Sequence, residues 1–143
     1  SSNPKHRELI RKALAEINPI SSSVTHASEI GGFVYSLKPN IVVGFDIEES
    51  TRPTAETVGR VCRDPNELKN APSPAYLWTA KEAAFKALKG EKQPKVISEI
   101  LILHWEKAGS QYETFSPVGS FSNMRGVSGR FQTYVYSICV TIH

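Results

Sequence analysis

The chain is short of the features that would place it in several large classes. It has two cysteines in 143 residues, Cys62 and Cys139, far apart and in no C-x-x-C pattern. That argues against a disulfide framework and against a cysteine-built zinc site. No apolar run approaches the length of a membrane span. The opening SSNPKHREL has no apolar stretch of the secretory kind. The expectation is therefore a cytoplasmic protein with no membrane partner. Excess charge of one sign is missing too: the net charge is +3 and the basic residues are scattered. This does not mark a nucleic-acid binder, although it suits an acidic partner or a polyanionic cofactor. There is no internal repeat and no low-complexity tract. What is present, 40% apolar and 22% charged residues, is the makeup of an ordinary globular protein. The length fits one domain with room for a hydrophobic core.

Periodicity supplies the elements. Residues 4–17 repeat apolar positions at helical spacing (Leu9, Ile10, Ala13, Leu14, Ile17), with Pro4 suited to a first turn. Asn18-Pro19 ends that helix. Residues 22–26 read as a short extended run, and residues 33–37 and 41–48 as strands joined by a Lys-Pro-Asn turn, which predicts a hairpin. A short helix over 54–62 opens at Thr54, and 63–74 reads as loop. Residues 75–89 form a strong helix closed by Gly90. Strands are expected over 96–105 and 131–142, with 110–130 a weak strand plus loop. The order predicts an α+β domain, an antiparallel sheet packed against a long helix, spanning 1–143 with 1–21 as helix and lead-in and 22–143 as core.

Two places can carry chemistry. Side chains alternate along a strand. Ile41, Val43, Phe45 and Ile47 therefore share one face, read as the core face, while Val42, Gly44, Asp46 and Glu48 share the other. Two carboxylates side by side repel unless a cation compensates, and a hard divalent ion such as Mg²⁺ is the natural candidate. A D-x-E at a strand end is, taken alone, more often surface charge. On the helix, Trp78, Glu82, Phe85 and Lys86 lie along one side with Lys81 flanking, and Leu77, Ala80, Ala84 and Leu88 lie opposite. Glu82 and Lys86 alone would make an ordinary exposed ion pair, but a tryptophan beside them needs something to pack on.

Together, V-G-F-D-I-E (43–48) and W-T-A-K-E-A-A-F-K (78–86) resemble the two-part signature of the 4′-phosphopantetheinyl transferase superfamily. Ser23-Val24-Thr25-His26 followed by Gly32-Phe33-Val34-Tyr35-Ser36 resembles the segment that precedes it in the Sfp-type branch. The resemblance runs from about Ser23 to the last strand. It implies an enzyme that moves the 4′-phosphopantetheine arm of coenzyme A to a serine of an apo-acyl or peptidyl carrier protein, releasing 3′,5′-ADP, in fatty acid, polyketide or peptide synthesis. It implies Asp46, Glu48 and Glu82 as Mg²⁺ ligands and Glu82 and Lys86 as catalytic groups. It also implies His26, Thr25, Lys81 and Lys86 as coenzyme A-binding residues, Thr25 keeping a hydroxyl where relatives often have serine. A histidine hydrogen-bonded at a strand end is an equal reading of His26 on its sequence alone.

The Sfp-type relatives consist of two similar halves, whereas this chain resembles the second half with the last two strands of the first. In size it is similar to the holo-acyl-carrier-protein synthases, the trimeric branch. The usual Gly-Lys-Pro segment before His26 is absent, so the residues for adenine and the 3′-phosphate are not assigned. Two consequences are expected to be open to test: a homo-oligomer that restores the cleft, or a catalytically inactive relative that binds coenzyme A or a carrier domain.

Overall fold

The computed structural model describes residues 3–89 and 93–143. Helix α1 (Pro4–Ile17) starts under an Asn3 side chain that accepts from the Lys5 amide, and ends at Asn18 in the left-handed conformation. Strands β1 (Ser21–His26) and β2 (Gly31–Ser36) form a separate antiparallel hairpin. Strand β3 (Ile41–Glu49) follows, then the helices α2 (Ala55–Gly59), α3 (Pro65–Asn70) and α4 (Pro74–Ala87). Strands β4 (His104–Ala108), β5 (Tyr112–Ser116), β6 (Met124–Phe131) and β7 (Tyr134–Ile142) close the chain. The main sheet is antiparallel with order β3-β7-β6-β5-β4. The α+β expectation therefore holds. Among the described residues no helix is long and apolar enough to cross a membrane.

Several boundaries differ from the sequence reading. Strand β2 pairs with β1 and not with β3, whose partner is the last strand β7. The expected 131–142 strand starts at Tyr134 as β7, after Gln132 turns the chain at φ 56°, and the segment 110–130 holds two strands, β5 and most of β6. The expected closure of α4 by Gly90 lies outside the described residues; the helix stops at Ala87. The supposed loop 63–74 contains α3, opened by a capping box in which Asp64 caps the first turn and Glu67 reaches back to the Asp64 amide.

The largest departure is at 96–105, where only His104 and Trp105 belong to a strand. Ile100 and Ile102 are fully buried, but their backbone is claimed by side chains. Lys81 Nζ donates to the Ile100 carbonyl at 2.6 Å, and the Ile102 amide donates to Glu67 Oε1 at 3.0 Å. Lys81 and Glu67 pair with each other at 2.6 Å, both wholly out of solvent. One ion pair thus ties α3, α4 and the 100–102 segment together. Among the described residues, Leu101 alone of the 100–102 carbonyls accepts from a distant backbone amide, that of Val118 at 3.0 Å.

The larger core cluster lies on the other side of β3. Helix α4 covers the face of Gly44 and Asp46, packing Leu77, Ala80, Ala83, Ala84 and Ala87 against Phe115, Met124 and Cys139. Opposite pairs in register share a face, so Gly44 aligns with Cys139 and Asp46 with Ser137 beneath the helix. The residues read as the core face, Ile41, Val43, Phe45 and Ile47, point the other way, where Val43 and Ile47 are buried and Ile41 and Phe45 partly so. The hairpin covers part of it: Ile47 packs with Ala27 and Tyr134, and Gly32 touches the Phe45 ring. The remainder is an open apolar cleft of about 380 Å³ lined by Phe45, Phe131, Tyr136 and Ile138 among others. Size of side chain misled the reading, because α4 descends so far at Gly44 that small residues and hydroxyls fill the space below it.

Lys81→Met should strand the Glu67 carboxylate without a countercharge. The expected cost is about 3–5 kcal/mol in chemical denaturation, a loss that an exposed lysine would not give.

Candidate active site

Gly44 sets the geometry. A Cβ built there would stand 1.9 Å from the Ala83 carbonyl oxygen and 2.6 Å from the Ala87 amide. Only glycine lets α4 lie this close to β3. Asp46 is two residues along the strand from that contact, while Glu82 and Lys86 flank Ala83 and Ala87 on the helix. The close approach therefore carries the helix motif to the strand motif. Lys86 Nζ donates to the Phe45 carbonyl at 2.9 Å, to the Val24 carbonyl at 3.4 Å and to Asp46 Oδ1 at 3.4 Å. The next lysine, Lys89, donates to the Ser22 carbonyl.

Asp46 is only 6% exposed. Thr25 Oγ1 donates to its Oδ1 at 3.2 Å, whereas Oδ2 is buried with no hydrogen-bond partner. Burial pushes the Asp46 carboxyl up to about 7, with Lys86 opposing and the Glu48 and Glu82 charges adding to the rise. Burial raises Glu82 as well, again with Lys86 opposing and Glu48 adding. Glu48 is raised by burial, against the Trp78 indole N–H donated to it and the charges of Arg52 and Lys86. Asp46, Glu48, Glu82 and Lys86 thus feel one another as a single electrostatic cluster. Trp78 also packs against the main core cluster.

His26 ends β1 beside Gly31, and its Nδ1 is buried without a partner. Burial, then the charges of Arg7, His6 and Lys86, hold its imidazole below the ordinary value. Two expected coenzyme A ligands are placed differently. Lys81 pairs with Glu67 and donates to the Ile100 carbonyl inside the core, its side chain wholly out of solvent. Thr25 is 4% exposed, its hydroxyl engaged by Asp46 and by the Ile47 amide at 3.3 Å. Neither was foreseeable from one element alone: each is fixed by a partner 14 to 22 residues away in sequence.

Within this frame, the ACPS family model, described as the 4′-phosphopantetheinyl transferase superfamily, matches residues 42–139. The chain belongs to the 4′-phosphopantetheinyl transferase superfamily. The matched span begins on β3 and ends on β7, so it contains both motifs and the Gly44 contact that joins them. No curated protein matches the chain. Superfamily membership brings coenzyme A as donor and a carrier protein as acceptor.

Among the described residues no group of three His, Cys, Asp or Glu side chains is already gathered as a metal site. The unpartnered Asp46 Oδ2, inside an all-oxygen cluster, is nevertheless a buried acceptor in want of a cation. Mg²⁺ is ordinarily held by one or two carboxylates together with substrate phosphates and water, and the residues fit that habit.

The raised Asp46 pKa has a stability consequence of definite sign. Between 3.8 and about 7 the folded protein keeps a proton that the unfolded chain has released, so stability falls as pH rises across that window. Asp46→Asn keeps an acceptor for Thr25 and Lys86 and removes the charge. In metal-free buffer it should melt above the parent at pH 8, by roughly 3–5 °C for a gain of about 1 kcal/mol. The difference should vanish near pH 4 in calorimetric scans.

Proposed function

We propose that the protein is an active Mg²⁺-dependent 4′-phosphopantetheinyl transferase, built as a single domain over 1–143. The carrier serine hydroxyl attacks the β-phosphorus of coenzyme A, a new serine oxygen–phosphorus bond forms, and the bond to the 3′,5′-ADP leaving group breaks. Glu82, its basicity raised by burial, takes the serine proton directly or through a water, as a base poised nearer neutrality can. Lys86 offsets charge gathering on the pyrophosphate oxygens. Its present contacts with two backbone carbonyls fix the ammonium in advance. Asp46, Glu82 and Glu48 would hold Mg²⁺, which would neutralise phosphate charge at this spot. His26, with an unsatisfied ring nitrogen amid basic neighbours, suits a coenzyme A phosphate. The observation that supports the reading most is that residues 46, 48, 82 and 86, distant in sequence, share one electrostatic cluster within the family-matched span.

The decisive assay incubates the protein with coenzyme A, Mg²⁺ and a panel of apo-carrier proteins and reads the added arm by mass spectrometry. Asp46→Ala and Glu82→Ala should abolish transfer with the fold intact by circular dichroism. Glu48→Ala should do less harm, and Lys86→Met should lower turnover sharply at nearly constant melting temperature. Full transfer by Asp46→Ala at limiting Mg²⁺ would sink the metal-site assignment, whereas no mass gain on any carrier with the parent would leave a relative that only binds coenzyme A or a carrier.

A coenzyme A cleft needs walls on more than one side, and a second copy of the chain is the simplest source of them. The exposed apolar side of the sheet away from α4, where Phe131 is 50% and Ile142 59% exposed, offers a surface on which two copies could associate. Light scattering at micromolar concentration should return a mass above that of one 15.8 kDa chain; a strict monomer that still transfers the arm rules the pairing out.

A further inference from the structure

We propose that Thr25 is the positioning residue of Asp46, fixing which oxygen of the carboxylate is left for a cation, and that it does not itself contact coenzyme A. The inference rests on reading Asp46 as a metal ligand and adds to it a second layer of the site, supplied by the hairpin.

Three hydroxyls of β1 meet the free edge of β3. Ser21 Oγ accepts from the Val43 amide at 3.2 Å, Ser23 Oγ from the Phe45 amide at 2.9 Å, and Thr25 Oγ1 from the Ile47 amide at 3.3 Å. The spacing by two on both strands makes these successive rungs of one ladder. Thr25 differs from the other two in one respect: it also donates to a carboxylate, Asp46 Oδ1. A hydroxyl has one proton to give. With a lone pair taken by the Ile47 amide, that proton is directed at Oδ1. Lys86 Nζ approaches the same oxygen. Both protein donors to the carboxylate therefore fall on Oδ1, and Oδ2 is left buried and unpartnered. A carboxylate held by one oxygen has its rotation fixed, so the second oxygen is presented in one orientation. Groups that orient a metal ligand in this way commonly change metal affinity by about 10–100-fold when removed.

Calorimetric titration with coenzyme A, once with Mn²⁺ and once with EDTA, separates this role from the others. The gain in coenzyme A affinity on adding Mn²⁺ is the quantity read. In the parent protein Mn²⁺ should tighten binding, and Asp46→Asn should remove that gain. Thr25→Val should cut the gain about tenfold while leaving affinity in EDTA unchanged, and Thr25→Ser should restore it. Ser23→Ala breaks a neighbouring rung with no carboxylate attached; it should lose a comparable amount of melting temperature and keep the whole gain. Should Thr25→Val weaken binding equally in Mn²⁺ and in EDTA, the hydroxyl touches coenzyme A and the proposal is overturned. The same holds if the gain survives in Thr25→Val but is lost in Asp46→Asn, which leaves Asp46 as a ligand. A gain that is absent in the parent, or that persists in Asp46→Asn, removes Asp46 from the metal site and the proposal with it.

Discussion

The contact between the Gly44 backbone and the Ala83–Ala87 turn of α4 governs how the parts of this protein relate. With any side chain at 44 the helix would have to rise from the sheet, since even a methyl would overlap the Ala83 carbonyl. At the observed approach, the helix carbonyls and amides nearly touch the strand, so the intervening layer is made of alanines and short polar groups. Thr79, Ser137 and Ser128 form a buried hydroxyl chain there, with spacings of 2.8 and 2.6 Å. Each member finds a partner, as buried polar groups must. The same approach drives Asp46 out of water and brings Lys86 within reach of it. Packing and chemistry are consequently one constraint: the residues that make the helix fit are those that press the carboxylates together.

That arrangement has a thermodynamic cost. Asp46 is placed where burial disfavours its charge, and Glu48 and Glu82 are placed where they worsen the repulsion. Lys86 relieves only part of it. A protein selected for stability alone would put an uncharged side chain at 46, so the strain is local evidence for a charged ligand. Stability is regained elsewhere, notably where Lys81 and Glu67 organise backbone that no sheet supports.

Much of the site was legible in the sequence because it depends on short-range periodicity. Alternation on a strand puts Asp46 beside Glu48, and one helical turn joins Glu82 to Lys86, whatever the rest of the chain does. The α+β order was legible for the same reason, and Asp64 with Glu67 spelled a helix start that the Asp-Pro pair obscured. What could not be read depends on contacts across the fold. The β-rich composition of 96–105 predicts a strand, but Glu67 and Lys81 satisfy its backbone first. Lys81 only flanks the side of the helix that carries Lys86, and the positions of α3 and β3 are what make one a core ion pair and the other a site cation. The apolar residues of β3 named one buried face, that of Val43 and Ile47, while the depth of the helix at Gly44 put the larger core on the other.

The hydroxyl ladder of β1 has a further effect on the molecule as a solute. Strand β3 is an outer strand of the five-stranded sheet, and outer strands invite pairing with strands of other molecules. Here the outward amides of Val43, Phe45 and Ile47 are already taken by Ser21, Ser23 and Thr25. Because the acceptors are side chains, the hairpin covers this edge without joining the five-stranded sheet as a sixth strand. The opposite border, β4, is five residues long and carries Glu106 and Lys107, a short and charged template. Sheet growth from chain to chain is thus blocked at both borders, by hydroxyls on one side and by brevity and charge on the other.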